Sequence, residues 1–199
     1  MECEIGAFYD KAKEEEAASL LAKLAPEAAQ RIREAPAVLL MLERQETPEA
    51  AHLALRLAAL MPPAMQALWQ AYRGADLPHG AWAEGWNLFA PAFVRWGSDV
   101  QVVRVLSLVS ALGDAEKAAF FHQLVMGRRF AAAVSSAGLV PADSPAANGK
   151  FWYDLGRAFF AMDERETARE CWERAISLDP AHGGARAYLV WTAQDDGEK

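Results

Sequence analysis

Four histidines, two cysteines and a run of acidic residues are the groups in this 199-residue chain whose types could carry chemistry. Their spacing argues against it. His52, His79, His122 and His182 are scattered, with no pair at the i, i+4 interval that sets two metal ligands on one helix face, so no metal site is expected. His52 and His122 read instead as polar-face or interhelix residues. Cys3 and Cys171 lie far apart without any zinc or redox spacing and read as reduced, incidental thiols. The acids Glu14 to Glu16 fall on the solvated face of an expected first helix. The stretches "GADLPHG" and "NGK" lack the repeated glycines and the Lys-Ser/Thr pair of a phosphate-cradling loop, and no Gly-x-Ser-x-Gly elbow occurs. No catalytic residue and no cofactor are expected, and the chain reads as a non-enzyme.

Aromatic residues are the second group with functional potential. Trp82, Trp86, Phe89, Phe93 and Trp96 follow one another at steps of four, three, four and three, which places them on one face of a helix. Such a stripe could line a groove for an apolar peptide, a lipid or a ring ligand, although a stripe at helical spacing is usually core.

Composition narrows the partners. Hydrophobic residues make up 53% and charged residues 24% of the chain, the balance of a folded globular protein. The formal net charge is −7, and the sequence has no basic stripe to offset repulsion from nucleic acid. Arg128 and Arg129 form a lone pair that suits a helix C-terminus. The amino-terminal "MECEIGAFYDKAKEEE" lacks the basic start and apolar block of a secretory signal, and no apolar run reaches the roughly 20 residues of a membrane-spanning helix. A soluble, cytoplasmic protein is expected, with no nucleic-acid or membrane partner.

The elements that position these residues are helical almost throughout. Alanine, leucine, glutamate and arginine dominate, and alternating β-branched patterns are sparse. Helices are expected from Ala7 to Leu24, briefly from Pro26, over "AVLLMLERQ", after Thr47 as N-cap with Pro48 at the first position, and over "AMQALWQAYRG" up to Gly74. The aromatic stripe forms a helix with a break near Ala90, because Gly85 and Pro91 interrupt it. Ser98 or Asp99 caps "VQVVRVLSLVSAL", and "GDAEKAAFFHQLVMGRR" follows across Gly113. Residues 1–134 thus form a helical region, 135–148 ("SSAGLVPADSPAAN") a loop or linker, 149–194 a helical hairpin with a final helix, and 195–199 a frayed tail.

The hairpin carries the most specific spacing in the chain. In "KFWYDLGRAFFAMDERETARECWERAISLDP", Trp152, Leu155, Gly156 and Phe159 share two turns of one helix, and Ala168, Trp172 and Ala175 share one face of a second. Gly156 and Ala168 are small where two helices would cross closely, with Phe159 and Trp172 as the bulk beside them. Together with Pro180, these eight residues occupy in register the positions of the 34-residue tetratricopeptide repeat, with aromatic exchanges at Phe159 and Trp172 only. The segment therefore resembles one tetratricopeptide repeat, followed by "GARAYLVWTAQ" as a capping helix. Upstream, Ala51, Leu55, Ala58 and Pro63 fall at the offsets of Ala168, Trp172, Ala175 and Pro180, and Leu112 and Gly113 precede Ala118 by the family's spacing. Those segments are either degenerate repeats or unrelated helical hairpins.

The resemblance implies an all-α fold of antiparallel helical hairpins stacked as a right-handed superhelix, because a single repeat needs neighbours to cover its apolar face. It also implies a protein or peptide partner bound along the concave face of the first helices. On that face this sequence would present Lys150, Tyr153, Arg157 and Phe160, with Tyr188 or Trp191 from the capping helix. Two cations among aromatics suit an acidic or C-terminal carboxylate peptide. Chaperone-binding members of the family use a lysine and an asparagine where this chain has Tyr153 and Arg157, so a different partner, or self-association into a homo-oligomer, is implied. The expected function is a protein-interaction adaptor; the alternative is a small-molecule or lipid-binding domain built on the tryptophan stripe.

Overall fold

The computed structural model describes residues 35–197. The two helices expected from Ala7 to Leu24 and from Pro26 lie outside the described residues. Among the described residues the structure is all α, with ten helices and no strand. None of these helices is long and apolar enough to cross a membrane. The chain divides into two compact units, residues 1–101 and 102–199.

In the first unit, α1 (Ala35–Glu43), α2 (Pro48–Ala59), α3 (Pro63–Tyr72) and α4 (His79–Trp96) surround one core. The start of α2 is set as its sequence implies: the Thr47 hydroxyl accepts a hydrogen bond from the Ala50 N–H at 3.1 Å, and Pro48 fills the first turn. The buried face of α2 is Ala50, Ala54 and Ala58. Leu55, at the offset of Trp172, is 57% exposed, so α2 does not share the packing register of the later hairpin.

Helix α4 corrects the break expected near Ala90: it runs unbroken through Pro91. Gly85 is a contact and not an interruption. A Cβ there would sit 2.7 Å from the Ala64 carbonyl oxygen, so glycine lets α4 press against the backbone of α3. That approach seats Trp82, Trp86, Phe89 and Phe93 in the core, where Phe89 stacks on Trp69 at 6.3 Å and Phe93 meets Tyr72 at 5.0 Å. The four do not line an open groove. Trp96 alone is exposed, under the Arg95 guanidinium at 5.0 Å. The hydrophobic effect outweighs the lost backbone hydrogen bond at Pro91, since four buried aromatics each remove on the order of 150–250 Å² from water.

Helix α5 (Asp99–Val109) opens with the reciprocal bonds of a capping box: Gln101 N–H donates to Ser98 Oγ and Ser98 N–H donates to Gln101 Oε1. The unit boundary falls inside it, after Gln101.

The second unit continues with α6 (Asp114–Met126), α7 (Phe130–Ala137), α8 (Gly149–Ala161), α9 (Arg165–Leu178) and α10 (Gly183–Gly197). Helix α7 extends into the stretch read as loop from Ser135, and α10 extends to Gly197, into the segment read as frayed tail. Serines persist in α7 because their hydroxyls turn back on the helix, Ser136 to the Ala133 carbonyl at 2.9 Å and Ser135 to that of Ala131 at 3.1 Å. Helix α8 starts at Asn148, whose side-chain oxygen accepts from the Phe151 N–H. It ends where Asp163 adopts a left-handed conformation (φ 65°) and Glu164 N–H reaches back to the Phe159 carbonyl.

That reversal lays α9 antiparallel on α8. Gly149 at the start of α8 meets Ala175 and Asp179 near the end of α9, and Gly156 meets Trp172. The Trp172 indole N–H donates to the Tyr153 carbonyl at 3.3 Å. Ala168, Trp172 and Ala175 are buried, as is Leu155, while Trp152 and Phe159, expected as core, are half-buried against it.

Candidate functional site

Asp154 is the unexpected residue of the second unit. It lies in the middle of α8 with a side chain only 3% exposed, and a buried carboxylate is tolerated only when it is paired and hydrogen-bonded. Three donors converge on it. Lys150 Nζ, one turn earlier, reaches Oδ2 at 3.0 Å; Arg157 Nη1, one turn later, reaches Oδ1 at 3.3 Å; and His122 Nδ1, from α6, reaches Oδ2 at 2.7 Å. The helix spacing aligns the first two and the α6–α8 packing supplies the third. That packing includes Phe121 against Phe151, ring centres 4.6 Å apart.

These residues line an open cleft of about 630 Å³, together with Asn148, Gly149, Tyr153, Leu178, Asp179 and His182. Asp154 is its floor, while Lys150 (60% exposed) and Arg157 (31% exposed) stand at its mouth. Arg157 lies over the Tyr153 ring at 5.8 Å, and His182 packs on the same ring at 4.6 Å. Burial raises the Tyr153 phenol above its ordinary value, with the Arg157 guanidinium pulling in the other direction. His182 Nδ1 accepts from the Ala185 N–H at 3.2 Å, which leaves its other nitrogen as the donor.

Of the residues expected on the concave face, Lys150, Tyr153 and Arg157 come together in this cleft. Phe160, Tyr188 and Trp191 gather beside it in an aromatic cluster: Phe160 lies 5.8 Å from Trp172, 6.2 Å from Tyr188 and 5.2 Å from Trp191, and Tyr188 stacks on Trp172 at 4.7 Å. Phe160 and Tyr188 are therefore largely committed to holding α10 on the hairpin, while Trp191 stays exposed. The sequence reading missed Asp154, and it took His122 as a polar-face or interhelix residue without naming its partner, which is Asp154 across the α6–α8 contact. The Lys-x-x-x-Asp-x-x-Arg spacing on one face of α8 was a usable sign of the first. Nothing local points from His122 to a carboxylate 32 residues away.

Chemically the cleft offers hydrogen-bond donors. Arg157 has further N–H groups beyond those on Asp154 and Met126, and Lys150 has three N–H bonds to distribute. No group of three or more histidines, cysteines or acids among the described residues is placed to hold a metal ion. A smaller cleft in the first unit, of about 370 Å³, has Arg73 as its only charged lining residue. No family model, curated protein or solved structure matches the chain.

Proposed function

We propose that this protein is a non-enzymatic interaction module whose second unit binds an extended segment of another protein, through an acidic side chain or a C-terminal carboxylate seated between Lys150 and Arg157. The observation that carries the reading is the alignment of two partly exposed cations, one helical turn on either side of a buried carboxylate, at the mouth of an open cleft. Asp154 holds both heads in place, which lowers the side-chain entropy lost on binding an anion. Tyr153, between them, adds an aromatic wall. The tetratricopeptide-like pattern belongs to the same reading: Gly156 against Trp172, the short reversal at Asp163 and α10 as the capping helix support it. So does the cytoplasmic setting expected from the sequence.

The test uses capped peptides rich in Glu and their Gln counterparts, with fluorescence anisotropy as the readout. Acidic peptides should bind and Gln peptides should not, and Arg157→Glu should weaken binding about tenfold or more, since a charge-assisted hydrogen bond contributes about 1.5–3 kcal/mol. Equal binding of both peptide sets, or an Arg157→Glu variant that binds normally, would refute it. Self-association is a second reading, favoured by the exposed neighbours Val190 and Trp191 on α10. A monomer at high concentration in sedimentation equilibrium would remove it.

A further inference from the structure

Helix α10 carries acidic residues that the cleft of its own chain cannot receive. The start of the helix forms a wall of that cleft: His182 lines it, and a Cβ on Gly184 would touch the Tyr153 ring at 3.0 Å. From there α10 leads away. Trp191 meets Phe160 at 5.2 Å, and the Thr192 carbonyl accepts from Arg169 Nη2 at 2.9 Å, in the early half of α9, whereas the cleft takes Leu178 and Asp179 from the end of α9. Phe160 is already well past Asp154 on α8, and Asp195 and Asp196 stand a further turn past Trp191, in the last turn of α10. At 1.5 Å per residue the two acids lie about 15 Å along the helix axes from the carboxylate that gathers Lys150 and Arg157. No side chain fixed on that turn spans such a distance.

The same turn is short of countercharge. The negative end of a helix dipole disfavours acids, and the last turn of α10 holds two of them and no basic residue. One turn earlier on the same helix, Val190 and Trp191 are exposed. The cleft is the complement in both respects. Lys150 and Arg157 present two cations gathered on one carboxylate, Leu178 in its lining is exposed, and Met126, also exposed, lies against Arg157 with Sδ 3.9 Å from Nη1. Asp179, the other acid of the lining, is taken up by the Ala181 N–H at 3.0 Å.

We propose that the segment seated between Lys150 and Arg157 is the end of α10 from a second copy of this chain, with Asp195 and Asp196 on the two cations and Val190 and Trp191 against Leu178 and Met126. This rests on the reading of the cleft as an acidic-segment site and names the segment. The contact joins two different patches, one from each copy, so it is heterologous. Each copy carries both halves, and a copy that lacks one half still offers the other.

The experiment breaks one half at a time in the full chain. Asp195→Asn/Asp196→Asn leaves the cleft intact, and Arg157→Glu leaves the acids intact; circular dichroism checks both folds. By sedimentation equilibrium over a concentration series the parent should self-associate, and each variant should weaken the association about tenfold or more, because each loses a charge-assisted contact. Mixed in equal amounts, the two variants should form a one-to-one complex, since the cleft of the first accepts the acids of the second. A parent that stays monomeric while a capped Glu-rich peptide binds by anisotropy overturns the proposal and leaves the docking site standing. Association that survives in either variant, or variants that do not complement each other, overturns it as well. Complementation without binding of the Glu-rich peptide supports the contact between copies and refutes a general recognition of acidic segments. Absence of both association and peptide binding refutes the two together.

Discussion

Replacing Gly156 by alanine sets two effects of opposite sign against each other, and the geometry decides between them. Alanine is favoured over glycine in a helix interior by about 1 kcal/mol. Position 156, however, faces the Trp172 indole: an added Cβ would lie 2.6 Å from Cδ1 and 2.9 Å from Cε2, with Nε1 also in contact. Ordinary carbon contacts are about 3.5–4.0 Å, so the ring would have to retreat by close to an ångström. It has no room to do so. Trp172 is completely buried, Tyr188 stacks behind it at 4.7 Å, and its N–H is held by the Tyr153 carbonyl. Overpacking of this kind costs about 1–3 kcal/mol, and a deficit on several ring atoms places it at the upper end. Net destabilisation of about 2 kcal/mol is expected. Urea unfolding followed by far-ultraviolet circular dichroism and tryptophan fluorescence measures it. Gly80→Ala is the matched control: nothing lies within 4 Å of the added Cβ in the first turn of α4, so the same change there should stabilise by up to about 1 kcal/mol. Trp172→Leu, which removes the ring atoms nearest the new methyl, should make the double variant's loss clearly less than additive. A Gly156→Ala protein as stable as the parent, or strictly additive losses, would refute the close α8–α9 crossing.

Other consequences are quicker to check. Thr47→Ala removes the side-chain acceptor at the start of α2 and should cost about 1 kcal/mol in urea unfolding, with Thr47→Ser close to neutral. Asp154→Asn keeps the shape of the site but ends its charge pairing. It should lower stability by about 1–2 kcal/mol, a value reduced from the cost of breaking a fully buried pair because Lys150 and Arg157 can turn to water. Burial pushes the Cys171 thiol up to about 11, with Glu170 adding to the effect, so in a Cys3→Ser background it should react with a disulfide reagent at pH 8 far more slowly in the folded than in the urea-unfolded chain. The linkage runs the same way. The unfolded thiol ionises first, so stability present below about pH 8.5 falls as pH rises towards 11, and Cys171→Ala should flatten that part of the profile.

Where the sequence is legible, the signal is local. Thr47-Pro48, Ser98 with Gln101, and Asn148 each place a side-chain oxygen where a helix start needs one, and helices begin there. The spacing from Trp152 to Pro180 likewise anticipates a hairpin whose second helix buries Ala168, Trp172 and Ala175. Local rules fail where a neighbouring element overrides them. Pro91 reads as a break because its ring and missing N–H disfavour helix, but burial of the aromatic face on both sides carries α4 through. Serines 135 and 136 read as loop, yet they bond back to their own helix.

The site shows the same division more sharply. Lys150, Tyr153 and Arg157 are reached from the sequence through its resemblance to a tetratricopeptide repeat, which implies that the first helix presents them on a concave face. What turns them into a site is not on that list. Without Asp154 beneath them, Lys150 and Arg157 would be two solvated side chains free to point apart. Without His122 from α6, the carboxylate would have no donor from another helix. A buried acid between two bases on one helix face is readable as a pattern, but its burial depends on which helix lies across it, and no interval along the chain encodes that. A pair of cations seven residues apart on a helix therefore becomes a recognition surface only through a third, buried charge. Asp154→Asn is the substitution that weighs this: if alignment by the carboxylate is what makes the cleft selective, the variant should lose discrimination between Glu and Gln peptides although both cations remain. If only the two positive charges matter, removing a nearby negative charge should instead tighten acidic-peptide binding, and that outcome would overturn the role given to Asp154.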